Sequence, residues 1–206
     1  MTDRELEQWI MASGALAEEL RAEADRVRRQ TVGDAVHVRG IIEFSNFCRC
    51  NCLYCGLRRD NHRLARRRMS FEQIVETAVL AERLGLGTVV LQSGEDLWWT
   101  AEGVAELIAE IKRRTHLAVT LSLGEREAWE YALWREAGAD RYLLKHETAD
   151  PELYRRLHPG ASFENRLECL ETLAELGYQI GAGCIVGLPG QTPASLAADL
   201  RLLQRF

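Results

Sequence analysis

Four of the chain's six cysteines fall within one short stretch, Cys48-Arg49-Cys50-Asn51-Cys52-Leu53-Tyr54-Cys55. Cys48, Cys52 and Cys55 follow a Cys-x3-Cys-x2-Cys spacing, which suits three corners of a cubane iron–sulfur cluster and leaves one iron without a protein ligand. A cluster that only carries electrons is usually held by four cysteines, whereas an open iron can take a small molecule as ligand. Cys50 leaves two assignments open: it replaces a ligand through a Cys50-x4-Cys55 geometry, or it is a spectator thiol beside the cluster. A tetrahedral zinc site is the other reading of four thiolates, although four cysteines so closely spaced would strain to wrap one ion.

Further residues carry chemistry at the ends of strand-like stretches. In Ser93-Gly94-Glu95-Asp96 the glycine lets the backbone approach a ligand, and Glu95 can meet an ammonium group. Gln92 ends the preceding stretch and points into the site if Val90 does. Thr120 and Ser122 share one strand face, where a barrel interior normally carries branched apolar side chains. Lys145, His146 and Glu147 end another stretch, and His146 reads either as a catalytic group or as a packed, hydrogen-bonded histidine. Cys169 lies among Leu167, Leu170 and Leu173 on an amphipathic pattern and reads as a small core residue. The run Arg58, Arg59, Arg63, Arg66, Arg67 and Arg68 lacks interleaved aromatic residues and reads as a solvated or carboxylate-paired loop. Trp98-Trp99 reads as a wall of the mouth or an interaction patch.

These residues need a frame to bring them together. Helical periodicity from Thr2 to about Gln30, opened by a Thr2-x-x-Glu5 capping box, predicts one or two helices ahead of the main fold, and the boundary falls after residue 34. A strand over Val36–Phe44 delivers the chain to the cysteine loop. Helices over 70–84, 101–114, 126–137 and 163–176 then alternate with strands over 88–92, 118–123, 141–144 and 180–186; a short helix begins at Asp150-Pro151 and a last one at Thr192-Pro193. Five strand–helix units predict a parallel α/β sheet, either doubly wound or part of a (β/α)8 barrel, with ligands at the strands' carboxyl ends. Five strands are too few for a closed barrel, so residues 35–206 are expected to be an incomplete core with an open edge at the fifth strand.

A formal charge of −5 with no basic excess argues against a nucleic-acid or anionic-membrane partner and favours a small substrate. The start Met1-Thr2-Asp3-Arg4-Glu5 lacks a secretory pattern, and no apolar run approaches the roughly 20 residues of a membrane span. A cytoplasmic location follows, where clustered cysteines more often bind metal than form disulfides.

The cysteine loop, with Tyr54 just before its last cysteine, resembles that of radical S-adenosylmethionine (SAM) enzymes. Glu43-Phe44-Ser45-Asn46, Gly56-Leu57-Arg58-Arg59-Asp60-Asn61, Leu91-Gln92-Ser93-Gly94-Glu95-Asp96, Thr120-Leu121-Ser122-Leu123-Gly124-Glu125, Lys145-His146-Glu147-Thr148 and Gly187-Leu188-Pro189-Gly190-Gln191-Thr192 narrow the likeness to the iron-iron hydrogenase maturase family HydE, which belongs with biotin synthase and methylornithine synthase. The resemblance implies a (β/α)8 TIM-type barrel enzyme, here about five units of it. Its 4Fe-4S cluster, held by Cys48, Cys52 and Cys55, would cleave SAM to a 5′-deoxyadenosyl radical during maturation of the hydrogenase cluster. Tyr54 would lie beside the adenine, and backbone near Val186 and Gly187 would meet it; Gln92, Ser93, Gly94, Glu95, Thr120 and Ser122 would line the cofactor site. Glu147 would hold the SAM ribose or amino end, with Arg166 on its carboxylate. The implied partners are a sulfur-containing, iron-bound small molecule, an electron donor such as flavodoxin or ferredoxin, and other hydrogenase maturases. The alternatives are a methylornithine or biotin synthase-like enzyme and an inactive, truncated iron–sulfur protein.

Overall fold

Helix starts fall where the sequence supplies a side-chain acceptor for unpaired backbone N–H groups. A computed structural model describes all 206 residues. Thr2 with Glu5 and Ser70 with Gln73 form reciprocal capping boxes ahead of α1 (Asp3–Ile10) and α3 (Phe71–Arg83). Asp150 and Thr192 cap α6 (Pro151–Leu157) and α8 (Pro193–Leu203), each with proline at the first turn. The remaining helices are α2 (Gly14–Val32), α4 (Ala101–Arg114), α5 (Ala128–Glu136) and α7 (Phe163–Glu175).

The strands β1 (Gly40–Ser45), β2 (Thr88–Ser93), β3 (Ala118–Ser122), β4 (Arg141–Leu143) and β5 (Gln179–Gly181) form one parallel sheet in the order β1-β2-β3-β4-β5. Every crossover therefore steps the same way. A doubly wound sheet reverses its strand order at a switch point, so the barrel segment is the arrangement present.

Helices cover one sheet face. Ile42, Phe44, Val89, Leu91, Val119, Leu121 and Tyr142 pack there against Ile74, Leu107, Ile108, Ile111, Trp134 and Leu170. The register sets Ile41, Val90 and Thr120 in one row of the opposite, concave face, and Glu43, Gln92 and Ser122 in the next. Each of these rows carries side chains towards the barrel interior.

Two strands are shorter than their sequence predicts. Gly40 pairs with Val89, at the start of β2, so Val36–Arg39 run past any partner, and Val36 is 87% exposed. β5 ends at Gly181, short of Val186, as β4 ends at Leu143; beyond them the Leu144 N–H still donates to the Gly181 carbonyl and the Glu147 N–H to that of Gly183, and Glu147, at φ 68°, forms an isolated bridge with Cys184. The predicted N-terminal helix resolves into α1 and α2. α2 buries none of its residues, and an apolar groove of about 780 Å³ lined by Leu6, Trp9, Ile10, Leu20 and Leu200 separates it from α8.

Candidate active site

The cysteine loop leaves β1 at its carboxyl end and is tied down from three sides. The Arg49 N–H donates to the Glu95 carbonyl at 3.0 Å, the Leu53 N–H to the Leu157 carbonyl at 2.9 Å, and the Arg59 N–H to the Cys50 carbonyl at 2.8 Å. Three arginines of the basic run serve this scaffolding. Arg66 donates to the carbonyls of Asn46, Leu57 and Arg58, and Arg58 to that of Cys55. Arg68 grips Asp96 in a two-pronged pair at 2.6 and 2.9 Å, while Ser45 donates to the same carboxylate at 2.5 Å. Burial raises the Asp96 carboxyl, but these donors outweigh it and hold the group below its ordinary value.

The segment after β2 serves the loop. An ideal Cβ on Gly94 would lie 2.3 Å from the Phe47 carbonyl oxygen and 2.7 Å from Cys48 Cβ, so its close approach is to the cysteine loop itself. Glu95 accepts from Arg49 Nε at 2.9 Å and the Cys50 thiol at 3.1 Å through one oxygen, and from the Glu125 N–H at 3.0 Å through the other. Gly124, at φ 76°, makes room for it: a Cβ there would meet Glu95 Cγ at 2.1 Å. Glu95 thus already has protein donors on both oxygens, unlike the free carboxylate that an ammonium-binding role would suggest. The Ser93 hydroxyl donates to the Gly94 carbonyl at 2.6 Å.

Glu147 is different. It is the chain's one non-glycine residue at positive φ, and its Oε2 is buried without any hydrogen-bond partner. Backbone strain and an orphaned buried carboxylate oxygen coincide at this residue. Burial raises its carboxyl above the ordinary value, against the pull of Arg166 and Lys145. Tyr54 lies beside it, and its hydroxyl meets His158 Nε2 at 2.8 Å. Arg166 donates through Nε to Glu125 at 2.6 Å and through Nη1 to the Lys145 carbonyl at 2.6 Å. Its Nη2 makes no such bond.

Other expected residues are placed as follows. Thr120 lies on the concave face with its hydroxyl buried and unpartnered, and Gln92 and Ser122 sit side by side in register beyond it. Val186 is 74% exposed at the open β5 edge, and Gly187, at φ 91°, donates to the Gln191 side chain at 2.7 Å. His146 is not brought to the site. It turns into the helical layer, fully buried, with Nε2 3.2 Å from Asp199 on α8. Cys169 packs in the core, Trp99 stacks edge-on to Phe44, and Trp98 is exposed.

Sequence reasoning missed His158, Glu125, Asn165 and Arg49. Glu125 accepts from Arg166 and Asn165; Glu125 and Asn165, with Arg49, Cys52, Glu95 and His158, line a polar cleft of about 560 Å³ beside the cysteine loop. The only signal for His158 was its place at the end of α6, directly before Pro159-Gly160.

One other set of potential metal donors lies away from the cysteine loop. Only His146, Cys184 and Asp199 bring three donor atoms within 4.8 Å of one another; the loop thiols do not converge so closely. A single zinc ion with Zn–S of about 2.3 Å needs sulfurs roughly 3.8 Å apart, whereas cubane corners stand wider. Cys48, Cys52 and Cys55 all lie in the loop that leaves the carboxyl end of β1, and all three thiols are free.

The sequence model of the radical SAM superfamily matches residues 42–203. The chain is 60% identical over 181 residues to the [FeFe] hydrogenase maturase subunit HydE of Thermotoga maritima, covering 88% of this chain and 52% of that protein. It is 32% identical over 173 residues to the 3-methylornithine synthase of Methanosarcina acetivorans, covering 83% of this chain and 49% of that protein. The crystal structure of methylornithine synthase superposes with a TM-score of 0.92 at 29% identity, covering 99% of this chain and 61% of that one. The chain spans about half the length of the curated relatives it matches.

Proposed function

The chain belongs to the radical SAM superfamily, and on that premise we propose that it forms the cluster-holding and SAM-binding part of a HydE-like maturase of the iron-iron hydrogenase. The observation that carries this reading is the juxtaposition of the Cys48, Cys52 and Cys55 loop with the strained, unpartnered carboxylate of Glu147 across the mouth of the sheet. Identity to HydE nearly twice that to methylornithine synthase favours the maturase over a mutase. The second reading, a methylornithine synthase-like enzyme, rests on the TM-score of 0.92.

In this reading residues 1–34 are a helical extension and 35–206 the core. Cys48, Cys52 and Cys55 hold a 4Fe-4S cluster, and the group at its open iron is SAM. When bound, the two supply reductive cleavage of a carbon–sulfur bond. Glu147 receives the amino end or ribose hydroxyls of SAM through Oε2, and the free Nη2 of Arg166 faces its carboxylate. Tyr54 offers its ring to the adenine, with Val186 and Gly187 along the other rim. Glu95 acts through Arg49 and Cys50 to fix the cysteine loop. Thr120, Ser122 and Gln92 line the cofactor site, and the substrate is a sulfur-containing, iron-bound small molecule. An electron donor such as flavodoxin or ferredoxin and the other hydrogenase maturases complete the set of partners, in a cytoplasm where the six unpaired cysteines stay reduced.

The test is anaerobic reconstitution with iron and sulfide, reduction, addition of SAM, and quantification of 5′-deoxyadenosine beside a Cys55→Ala control. Formation that depends on Cys55 is expected. A loaded cluster that neither binds nor cleaves SAM would overturn the reading.

A further inference from the structure

The Tyr54 hydroxyl has one proton and two acceptors beside it. One is His158 Nε2 at 2.8 Å; the other is the Glu147 carboxyl. Which acceptor wins is decided on the far side of the imidazole. His158 Nδ1 lies 2.9 Å from the Tyr154 carbonyl oxygen, which can only accept, so Nδ1 carries the ring proton. Burial, the largest influence on this ring, holds its pKa below the usual histidine value and keeps it neutral at pH 7. Nε2 is then an acceptor, and Tyr54 donates to it. The ring is 2% exposed and stacks on Tyr154 at a centroid distance of 4.0 Å, so it cannot turn to exchange its nitrogens without leaving both partners.

We propose that His158 is a positioning residue for SAM: by accepting the hydrogen bond of the Tyr54 hydroxyl it orients the Tyr54 ring and leaves Glu147 Oε2 open for the ligand's donors. This rests on the reading above, in which Glu147 meets SAM. Without His158 the hydroxyl donates to Glu147, satisfies the orphaned oxygen and competes with SAM for it. Leu53, which donates to the Leu157 carbonyl, keeps Tyr54 and His158 together by tying the cysteine loop to the end of α6.

A double-mutant cycle separates this role from a structural one. SAM dissociation constants are measured by equilibrium dialysis on cluster-loaded protein for wild type, His158→Phe, Tyr54→Phe and the double variant, with iron and sulfide content as the loading control. His158→Phe is expected to weaken SAM binding about tenfold with iron content unchanged, and to shift it less than twofold in the Tyr54→Phe background. His158→Gln, whose amide oxygen can accept from Tyr54, restores binding to within about threefold of wild type. Equal losses in both backgrounds, or no loss in His158→Phe, overturn the proposal. Nitrogen-15 NMR of the cluster-free chain reads the tautomer without SAM: a protonated Nε2 overturns the proposal by itself. Wild-type protein that loads a cluster but binds no SAM, with the tautomer as described, instead counts against the proposed function and takes the positioning role with it.

Discussion

Gly94 lies against Cys48 so closely that a Cβ on the glycine would sit 2.7 Å from that of the cysteine and 2.3 Å from the Phe47 carbonyl oxygen. The obstacle is backbone, not the far end of a flexible side chain, so neither segment can yield cheaply. Gly94→Ala is expected to push the cysteine loop off β2, at a cost of about 1–3 kcal/mol for overpacking. Iron and sulfide per chain after reconstitution should fall below half the wild-type value. Unchanged loading would mean that the loop reaches its cluster-holding shape without this contact.

The buried Glu147 carboxyl makes stability depend on pH. Burial raises its folded-state pKa, so the native chain holds a proton that the unfolded chain has already lost over the interval above the ordinary glutamate value. Its contribution to stability is fully present below that value and is lost as pH rises through the folded pKa. Glu147→Gln should therefore stabilise the cluster-free chain at pH 7.5 and leave it nearly unchanged near pH 4, read as urea midpoints at the two pH values. The same variant should weaken SAM binding at least tenfold. A variant less stable at both pH values would mean that the carboxylate is not a held-open ligand but a structural acceptor.

Much of this was legible beforehand because it is local. Capping boxes, glycine stops and apolar periodicity gave α3, α4 and β2 nearly to the residue, since each depends only on neighbours along the chain. The overruns at β1 and β5 have a shared cause: a strand ends where its partner does, and neither the start of β2 nor the end of β4 at Leu143 is written into the residues of the strand that stops. His158 and Tyr54 lie 104 residues apart, and Asp199 lies 53 from His146. Such pairs depend on how successive units wind past one another, which periodicity does not encode. Glu95 was visible as a site carboxylate, but its capture by Arg49 and Cys50 was hidden for the same reason.

Asp199 holds the turn after β4 from the middle of α8. It accepts from the Ala149 N–H and from His146, and both side chains are fully buried. Asp199→Ala leaves both donors without an acceptor and should destabilise the chain by about 2–4 kcal/mol, the cost of orphaned buried groups. Asp199→Asn keeps the shape and one acceptor oxygen and should lose about half as much. Urea unfolding followed by circular dichroism measures both, and a loss under about 1 kcal/mol in the alanine variant would refute the role.

Cys50 is the remaining ambiguity of the cysteine loop, and its surroundings assign it to the scaffold. Its thiol donates to Glu95 at 3.1 Å, between Cys48 and Cys52 along the loop. A ligand must give up its proton to iron, and a thiolate at this position would face the Glu95 carboxylate, a like charge, at that same short distance. Cys48, Cys52 and Cys55 have no carboxylate so placed. Cys50→Ser keeps a donor for Glu95 and should retain full iron and sulfide content, while Cys50→Ala, which strips that donor, should load normally but release its cluster several-fold faster under air. Cys52→Ala in the same assay should hold almost no iron. If Cys50→Ser instead emptied the site as Cys52→Ala does, Cys50 would be the ligand, the Cys-x3-Cys-x2-Cys assignment would fail, and the open iron on which SAM binding depends would have to be sought with a different trio.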